Sequence, residues 1–161
     1  MEEVHAGLGR DALALDRARL DVLATDHAPH LLEEKEQKYD KAPSGLPLVQ
    51  FALQAALQRV TEGRLTLERI VETVCHNPAK LFNVENRGFL REGYAADLVL
   101  VDPNKPHTVT REEVLSKCGW SPFEGYTFSS SIASTFVNGQ RVFDGKTVDG
   151  NVRGQRLTFD R

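Results

Sequence analysis

The densest cluster of ionisable side chains in this sequence is the stretch TDHAPH at residues 25–30. An aspartate carboxylate has several lone-pair sites, so Asp26 can bind a divalent metal, act as a general base, or do both. His27 and His30 are candidate metal ligands, hydrogen-bond donors, or cations near neutral pH. A plainer interpretation makes Asp26 a turn cap and both histidines surface loop residues. This stretch is therefore the first candidate for chemistry.

The elements around this stretch decide between the two interpretations. Residues 21–25 (DVLAT) are apolar without alternation, which is typical of a strand buried on both faces of a parallel sheet. The next 20 residues, from His27 to Leu46, are polar and interrupted by prolines and glycine, and loops of that length commonly bind ligands. Because functional groups gather at the carboxyl ends of parallel strands, we predict Asp26 at such an end, with His30 on the same side.

Four helices are predicted from apolar spacing and end signals. They cover residues 6–20, the segment from Pro47 to Gly63, a segment that begins at the Thr66 N-cap and runs to about Cys75, and residues 79–82 after Asn77-Pro78. The helical part of the chain is predicted to end near Asn83.

From Arg87 onward the pattern is typical of β-structure. Branched or aromatic runs predict strands at residues 98–101, 132–137 and 141–143. Asn138-Gly139 predicts a hairpin turn, because both residues tolerate positive φ, and Asp144-Gly145 predicts another turn. Two structural regions are expected, with a boundary near residues 84–88.

Composition excludes several classes of protein. The chain has 161 residues, 40% of them hydrophobic, a formal charge of −3 and a pI near 6.0, with no cluster of Lys and Arg that could follow a nucleic-acid backbone. No apolar run approaches the roughly 20 residues of a membrane span, and the N-terminus lacks the features of a signal peptide, so we expect a cytoplasmic protein. Cys75 and Cys118 are far apart and form no Cys-x-x-Cys motif, which predicts ordinary thiols.

Several motifs together resemble one enzyme family. ATDHAPH at residues 24–30, followed by Glu33-Glu34-Lys35, is similar to the second signature segment of dihydroorotases in the amidohydrolase superfamily. The resemblance extends in order over about residues 12–161. Its further motifs are NPAKLF at 77–82, the glycine-containing segment 88–102, WSPFEG at 120–125 and VNG at 137–139.

The resemblance implies an α/β fold, the C-terminal part of a (β/α)8 metal-dependent hydrolase barrel plus C-terminal strands of a small β-sandwich. Residues 1–86 would be the last strand and helices of the barrel, and residues 87–161 would be the β-sandwich segment. The family's paired His-x-His ligands, carboxylated lysine, later histidine ligands, and carboxylate-binding arginine and asparagine have no counterparts here. Residues 1–10 also do not resemble the barrel segment expected before this strand. We therefore expect the missing groups upstream in the full-length protein and expect the isolated chain to be inactive.

The resemblance also assigns roles. Asp26 would be a metal ligand and the catalytic proton shuttle, His30 would bind the substrate carboxylate, and backbone groups of Ser44 and Gly45 would approach the pyrimidine ring. His27 is given no more than a structural or supporting part. The implied cofactor is a divalent metal, zinc by expectation, in a binuclear centre. A metal-bridging hydroxide would attack the ring amide of dihydroorotate and yield N-carbamoyl-L-aspartate in pyrimidine biosynthesis.

Other enzyme and non-enzyme interpretations stay open. Allantoinases, hydantoinases and dihydropyrimidinases share the barrel and the aspartate, but neutral cyclic amides need no partner at His30. A non-catalytic subunit of an aspartate transcarbamoylase assembly should have lost metal ligands, and Asp26 argues against it. The expected partners are the small-molecule substrate and either a homo-oligomer or aspartate transcarbamoylase, with no nucleic acid and no membrane.

A few conspicuous side chains are predicted to be structural. His76 is expected to pack or cap beside Asn77-Pro78, and Trp120 and Phe123 are expected to be core or domain-contact residues. The charge run at residues 33–35 is expected to be a solvated loop face.

Overall fold

The structure is a computed structural model, and it describes residues 20–160. The helix predicted over residues 6–20 lies, apart from Leu20, outside the described residues. The rest is a mixed α/β arrangement with helices first and strands after. The helices are α1 (Leu32–Lys35), α2 (Ala52–Thr61), α3 (Leu67–Val71) and α4 (Asn77–Leu81), with 3₁₀ turns at Val49–Phe51 and Arg111–Glu113 and a π-helical turn at Glu72–His76. The strands are β1 (Leu98–Asp102), β2 (His107–Thr108), β3 (Thr127–Phe128), β4 (Ser131–Val137) and β5 (Gln140–Phe143).

The helices between residues 47 and 82 are confirmed, with one refinement. The Thr66 hydroxyl accepts a hydrogen bond from the Arg69 N–H at 3.2 Å, so Thr66 is the predicted N-cap of α3. α3 does not stop at Cys75 but continues through the π-helical turn into α4, whose first turn contains Pro78. A proline has no N–H and crowds the carbonyl four residues earlier, and a widened turn just before it accommodates both effects.

The predicted hairpin is confirmed. β4 and β5 pair antiparallel through Asn138 (φ 49°) and Gly139 (φ 78°), the two positive φ angles of a tight hairpin turn. The Asp97 carboxylate accepts the Asn138 N–H at 2.7 Å, and the Arg87 guanidinium binds both Asp97 and the Asn138 side-chain oxygen. β1 pairs antiparallel with the other side of β4, giving the strand order β1-β4-β5. The three predicted strands thus form with ends within one residue of the prediction.

The second predicted turn also forms. Gly145 has a φ of 90°, and the Asp144 carboxylate accepts the backbone N–H groups of Lys146 and Thr147 at 2.9 and 2.8 Å. These hydrogen bonds, led by the one from Thr147, hold the pKa of Asp144 below its usual value.

An aromatic cluster joins the helices to the β-region. Phe51, which ends the 3₁₀ turn before α2, and Ala55 of α2 pack against Val109, Phe123 and Phe128. The Phe51 and Phe128 rings are stacked 6.4 Å apart, and Phe123 is buried, which confirms the predicted core role of that residue. Beside the cluster, the Gln54 side-chain nitrogen lies 2.7 Å from His107 Nδ1, and His107 Nε2 lies 2.8 Å from a Glu113 carboxylate oxygen. β2 and β3, which pair as a two-stranded sheet, hold their part of the cluster against α2.

The run at residues 21–25 pairs with no strand among residues 20–160, so the buried parallel strand expected there stays a prediction. Residues 21–25 form no β-ladder, and Ala24 is exposed. The Leu23 N–H instead donates to the Thr73 carbonyl at 3.2 Å, and Leu23 packs against the small cluster of Ala56, Leu65 and Ile70. A parallel strand requires a neighbouring strand for its hydrogen bonds, and here the neighbour is a helix.

Two further sequence predictions concern the thiols and the membrane. Cys75 and Cys118 are both free, as predicted, and desolvation raises the pKa of the Cys75 thiol. Among residues 20–160, no helix combines the length and the apolar character that crossing a membrane requires.

Candidate functional site

The backbone at Asp26 is left-handed, and the residues that follow run beside the end of their own loop. Asp26 is exposed and has a φ of 45°, a left-handed conformation that aspartate tolerates better than most residues. Directly after it, His27 and Leu46 form a parallel bridge, and the Ala28 N–H donates to the Leu46 carbonyl at 3.1 Å. The Asp26 segment and the end of the loop are therefore adjacent.

Ser44 and Gly45, the predicted ring-contacting residues, lie on this second stretch of chain. Gly45 has a φ of 105°, and a Cβ added to it would overlap the methyl group of Ala28. Only glycine permits that conformation and that close approach. The tight contact at Gly45 is thus between two backbone segments of the loop, whereas Ser44 beside it is exposed.

Lys35 closes the loop, which corrects the prediction that residues 33–35 are a solvated face. Its ammonium group donates to the carbonyl oxygens of Pro43 at 2.6 Å and Gly45 at 3.1 Å. Glu33 is exposed as predicted. The Glu34 carboxylate accepts the Leu31 N–H at 2.8 Å. The loop predicted over residues 27–46 therefore contains one turn of helix, α1, whose last residue anchors the returning chain.

His30 is held by its backbone on both sides. Its N–H donates to the Ala28 carbonyl at 3.0 Å, and its carbonyl accepts the indole N–H of Trp120 at 2.8 Å. The imidazole is 38% exposed, and its Nδ1 lies 3.7 Å from a Glu34 carboxylate oxygen. The Trp120 contact links residues on either side of the predicted boundary, as a domain-contact residue would.

His27 has a structural contact. Its Nδ1 accepts the backbone N–H of Val49 at 3.3 Å, at the start of the 3₁₀ turn that leads into α2. The ring also lines a cavity of about 350 Å³ whose other walls include Phe51, Leu115 and Ser121. Because Nδ1 acts as the acceptor, the ring proton of a neutral His27 resides on Nε2.

Asp26 is the one predicted metal ligand in the described segment. Its carboxylate makes no hydrogen bond with another of residues 20–160, so its lone pairs are available to an external partner. Within the same residues, no three or more His, Cys, Asp or Glu side chains come together closely enough to hold a metal ion. The described part of the chain therefore fits one donor of a metal centre and not a complete donor set. His76, the other conspicuous histidine, stacks on Phe89 at 4.3 Å with the rings 7° from parallel, which confirms its packing role.

Comparison with known proteins decides the family. The Amidohydrolase family model matches residues 9–142, which is most of the sequence. This chain belongs to the amidohydrolase family. Among curated relatives, it is 43% identical to the dihydroorotase of Halobacterium salinarum over 150 residues, covering 89% of this chain and 35% of that protein. It is 35% identical to the dihydroorotase of Pyrococcus furiosus over 148 residues, covering 92% of this chain and 34% of that protein.

Solved structures of amidohydrolases match as well. An L-hydantoinase (dihydropyrimidinase) from Arthrobacter aurescens superposes with a TM-score of 0.85 at 33% identity, covering 92% of this chain and 34% of that one. A D-hydantoinase (dihydropyrimidinase) from a Thermus species superposes with a TM-score of 0.78 at 26% identity, covering 85% and 31%. The chain spans about a third of the length of the relatives that it matches.

Sequence reasoning did not predict how Lys35 and Trp120 support the site loop. Lys35 was hidden in a charge run, because the carbonyl groups that it binds carry no side-chain signal. Trp120 was predicted only as a core or domain-contact residue, and its hydrogen-bond partner lies 90 residues away along the chain. The available signal was the indole itself, because a partly buried tryptophan N–H usually donates a hydrogen bond to an acceptor.

Proposed function

We propose that this chain carries one side of a dihydroorotase active site, contributing Asp26 and His30. The observation that carries the proposal is the ATDHAPH segment, folded against the end of its own loop and held there by Gly45 and Lys35. The similarity to dihydroorotases, at 34–43% identity over most of the chain, supports it. The reaction would be reversible hydrolysis of the cyclic amide of dihydroorotate to N-carbamoyl-L-aspartate.

The division of the chain follows from the same proposal. Residues 1–86 would supply the last strand and the final helices of a (β/α)8 barrel, and residues 87–161 the C-terminal strands of a small β-sandwich. Within residues 20–160, the apolar run at residues 21–25 has no strand beside it, and Leu98, Val99 and Leu100 of the edge strand β1 are exposed. Surfaces of this kind are buried when neighbouring strands cover them, which agrees with a chain about a third as long as its relatives.

The two site residues would perform different tasks. The Asp26 carboxylate, free of hydrogen bonds to other described residues, would accept a proton from the attacking water and deliver it to the leaving ring nitrogen. The His30 imidazole, exposed at the same loop, would donate to the carboxylate of the substrate. Backbone groups of Ser44 and Gly45 would border the ring. A divalent metal, zinc by preference, would lower the pKa of bound water and polarise the carbonyl, with Asp26 as one of its ligands.

The second candidate is a hydantoinase or dihydropyrimidinase activity, which the L-hydantoinase superposition favours. The substrates of such enzymes, as cyclic amides without a carboxylate, would make no use of an imidazole at position 30. Association with aspartate transcarbamoylase, self-association and a cytoplasmic location stay predictions, as does the interpretation as a non-catalytic subunit.

Two substitutions in the active enzyme that contains this chain test the proposal. His30→Ala should weaken dihydroorotate binding by about one to two decades, roughly 1.5 to 3 kcal/mol, because a charge-assisted contact is lost while the metal content is retained. Asp26→Ala should abolish turnover. His76→Ala removes a histidine that packs on Phe89 and serves as the matched control with an unchanged KM.

A neutral cyclic amide, dihydrouracil, distinguishes the two candidates. A dihydroorotase should turn over dihydroorotate in strong preference to dihydrouracil, and only dihydroorotate binding should respond to His30→Ala. If dihydrouracil were turned over as fast as dihydroorotate or faster, and His30→Ala had the same KM as the parent enzyme, the enzyme would belong to the dihydropyrimidinase class.

A further inference from the structure

The backbone of His30, from which its side chain projects, is restrained by hydrogen bonds on both sides. Its N–H is bound to Ala28 and its carbonyl to the Trp120 indole, so both peptide groups that flank the residue are restrained. The next residue, Leu31, is restrained through its N–H by Glu34. Among these contacts, the Trp120 contact is the one that reaches His30 from outside the loop.

Trp120 is itself firmly placed. Its neighbour Ser121 is buried, and the Ser121 hydroxyl accepts the N–H of Phe123, whose ring lies in the aromatic cluster with Phe51 and Phe128. The Trp120 carbonyl also receives a weak hydrogen bond from the Cys118 thiol. The indole donor therefore projects from a rigid support in the β-region.

We propose that Trp120 is a positioning residue for substrate binding, which sets the orientation of His30 through its indole N–H. The inference rests on the proposed function, because it takes His30 to be the group that meets the substrate carboxylate. In this proposal, residues 87–160 contribute to substrate binding as well as to packing.

The effect on the reaction should be selective. Without the indole donor, the His30 carbonyl turns toward water, and the peptide group between His30 and Leu31 keeps only its N–H contact with Glu34, which restrains it less. The imidazole then samples directions that miss the carboxylate, which weakens binding. Asp26 precedes the Ala28–Leu46 pairing and is held without Trp120, so the proton-transfer step is preserved.

The experiment removes the indole N–H of Trp120 and leaves the rest of the ring system in place. β-(3-Benzothienyl)alanine is introduced site-specifically at position 120 of the active enzyme. That residue has nearly the shape of tryptophan, with sulfur in place of the N–H, so we expect the fold to be retained. Trp120→Phe, which removes the donor and shortens the ring, is the second variant.

For the benzothienyl variant, we expect KM for dihydroorotate to rise about three- to tenfold, the size of one lost hydrogen bond, with kcat within about twofold and metal content unchanged. The pH profile of kcat should not move. In a His30→Ala background the same replacement should add nothing to KM, because the residue that it positions is gone.

The outcomes separate the two proposals. If the parent enzyme does not turn over dihydroorotate, the proposed function fails. If the parent enzyme is active and the benzothienyl variant has an unchanged KM, the positioning role is wrong. A fall in kcat as large as the rise in KM would show a structural role for Trp120 and would also overturn the inference. The same conclusion would follow if the replacement still raised KM in the His30→Ala background.

Discussion

The β4–β5 hairpin and the Asp26 segment are held in place by different kinds of contact. The hairpin is fixed by a backbone ladder around Asn138-Gly139, in which neighbouring residues pair with one another. In the described part of the chain, the Asp26 segment, residues 26–30, has one β-bridge, between His27 and Leu46, and side chains such as Lys35 and His27 supply further contacts. In a ladder, many backbone hydrogen bonds stabilise the same structure. The site loop is held by only a few contacts, so a single substitution should disturb it more than it would disturb the hairpin.

The largest effect is expected in the aromatic cluster that joins the two regions. Phe128→Ala should lower the free energy of unfolding by about 3 to 5 kcal/mol, because Phe128 is 1% exposed and the surrounding rings cannot fill the cavity. Phe82→Ala, at a residue 61% exposed, is the matched control and should cost less than about 1 kcal/mol. Urea titration measures both. Similar losses for the two variants would show that the cluster does not hold the regions together.

A smaller effect is expected at the close approach in the site loop. Gly45→Ala should lower the free energy of unfolding by about 2 to 4 kcal/mol, since it adds a clash with Ala28 to the strain of a positive φ. Gly93→Ala has a comparable φ of 81° and no atom near the added Cβ, so it isolates the strain, at about 1 kcal/mol. Equal destabilisation by the two variants in urea titration would mean that the contact between residues 28 and 45 is absent.

The smallest effect concerns Lys35 and is local. Lys35→Met should raise the hydrogen-exchange rate of the Ala28 amide by about one to two decades, because removal of the ammonium group frees the carbonyls of Pro43 and Gly45 and loosens the loop. The amides of the β4–β5 hairpin should exchange as before. Lys38→Met, at an exposed lysine of the same loop, should change neither set. Faster exchange in both regions would argue that the loop and the hairpin unfold together.

The sequence predicted the features whose signals are local. The Asn138-Gly139 turn, the Thr66 cap and the proline-led helix at Asn77–Leu81 each depend on neighbouring residues, and each forms. The run at residues 21–25 carried a strand pattern, but a parallel strand also needs a partner, and its neighbour here is the helical residue Thr73.

The same distinction holds for the candidate site. The resemblance selected Asp26, His30, Ser44 and Gly45, and the structure brings the 26–28 and 45–46 segments together. The supports of the loop were not predicted, because Lys35 and Trp120 act on backbone carbonyls through contacts that no spacing pattern encodes. Residues that bind ligands can be found by motif, whereas residues that hold them in place are found from coordinates.

The central claim is that this chain carries one side of an amidohydrolase site, and the metal content and activity of the purified 161-residue chain test it most directly. Metal per chain is measured by mass spectrometry after dialysis against zinc, and cyclisation of N-carbamoyl-L-aspartate is assayed at neutral pH in the same sample. Because Asp26 is one ligand where a zinc site takes about three or four from protein, we expect no binuclear centre and no turnover. Two bound metals per chain together with measurable cyclisation would contradict the account.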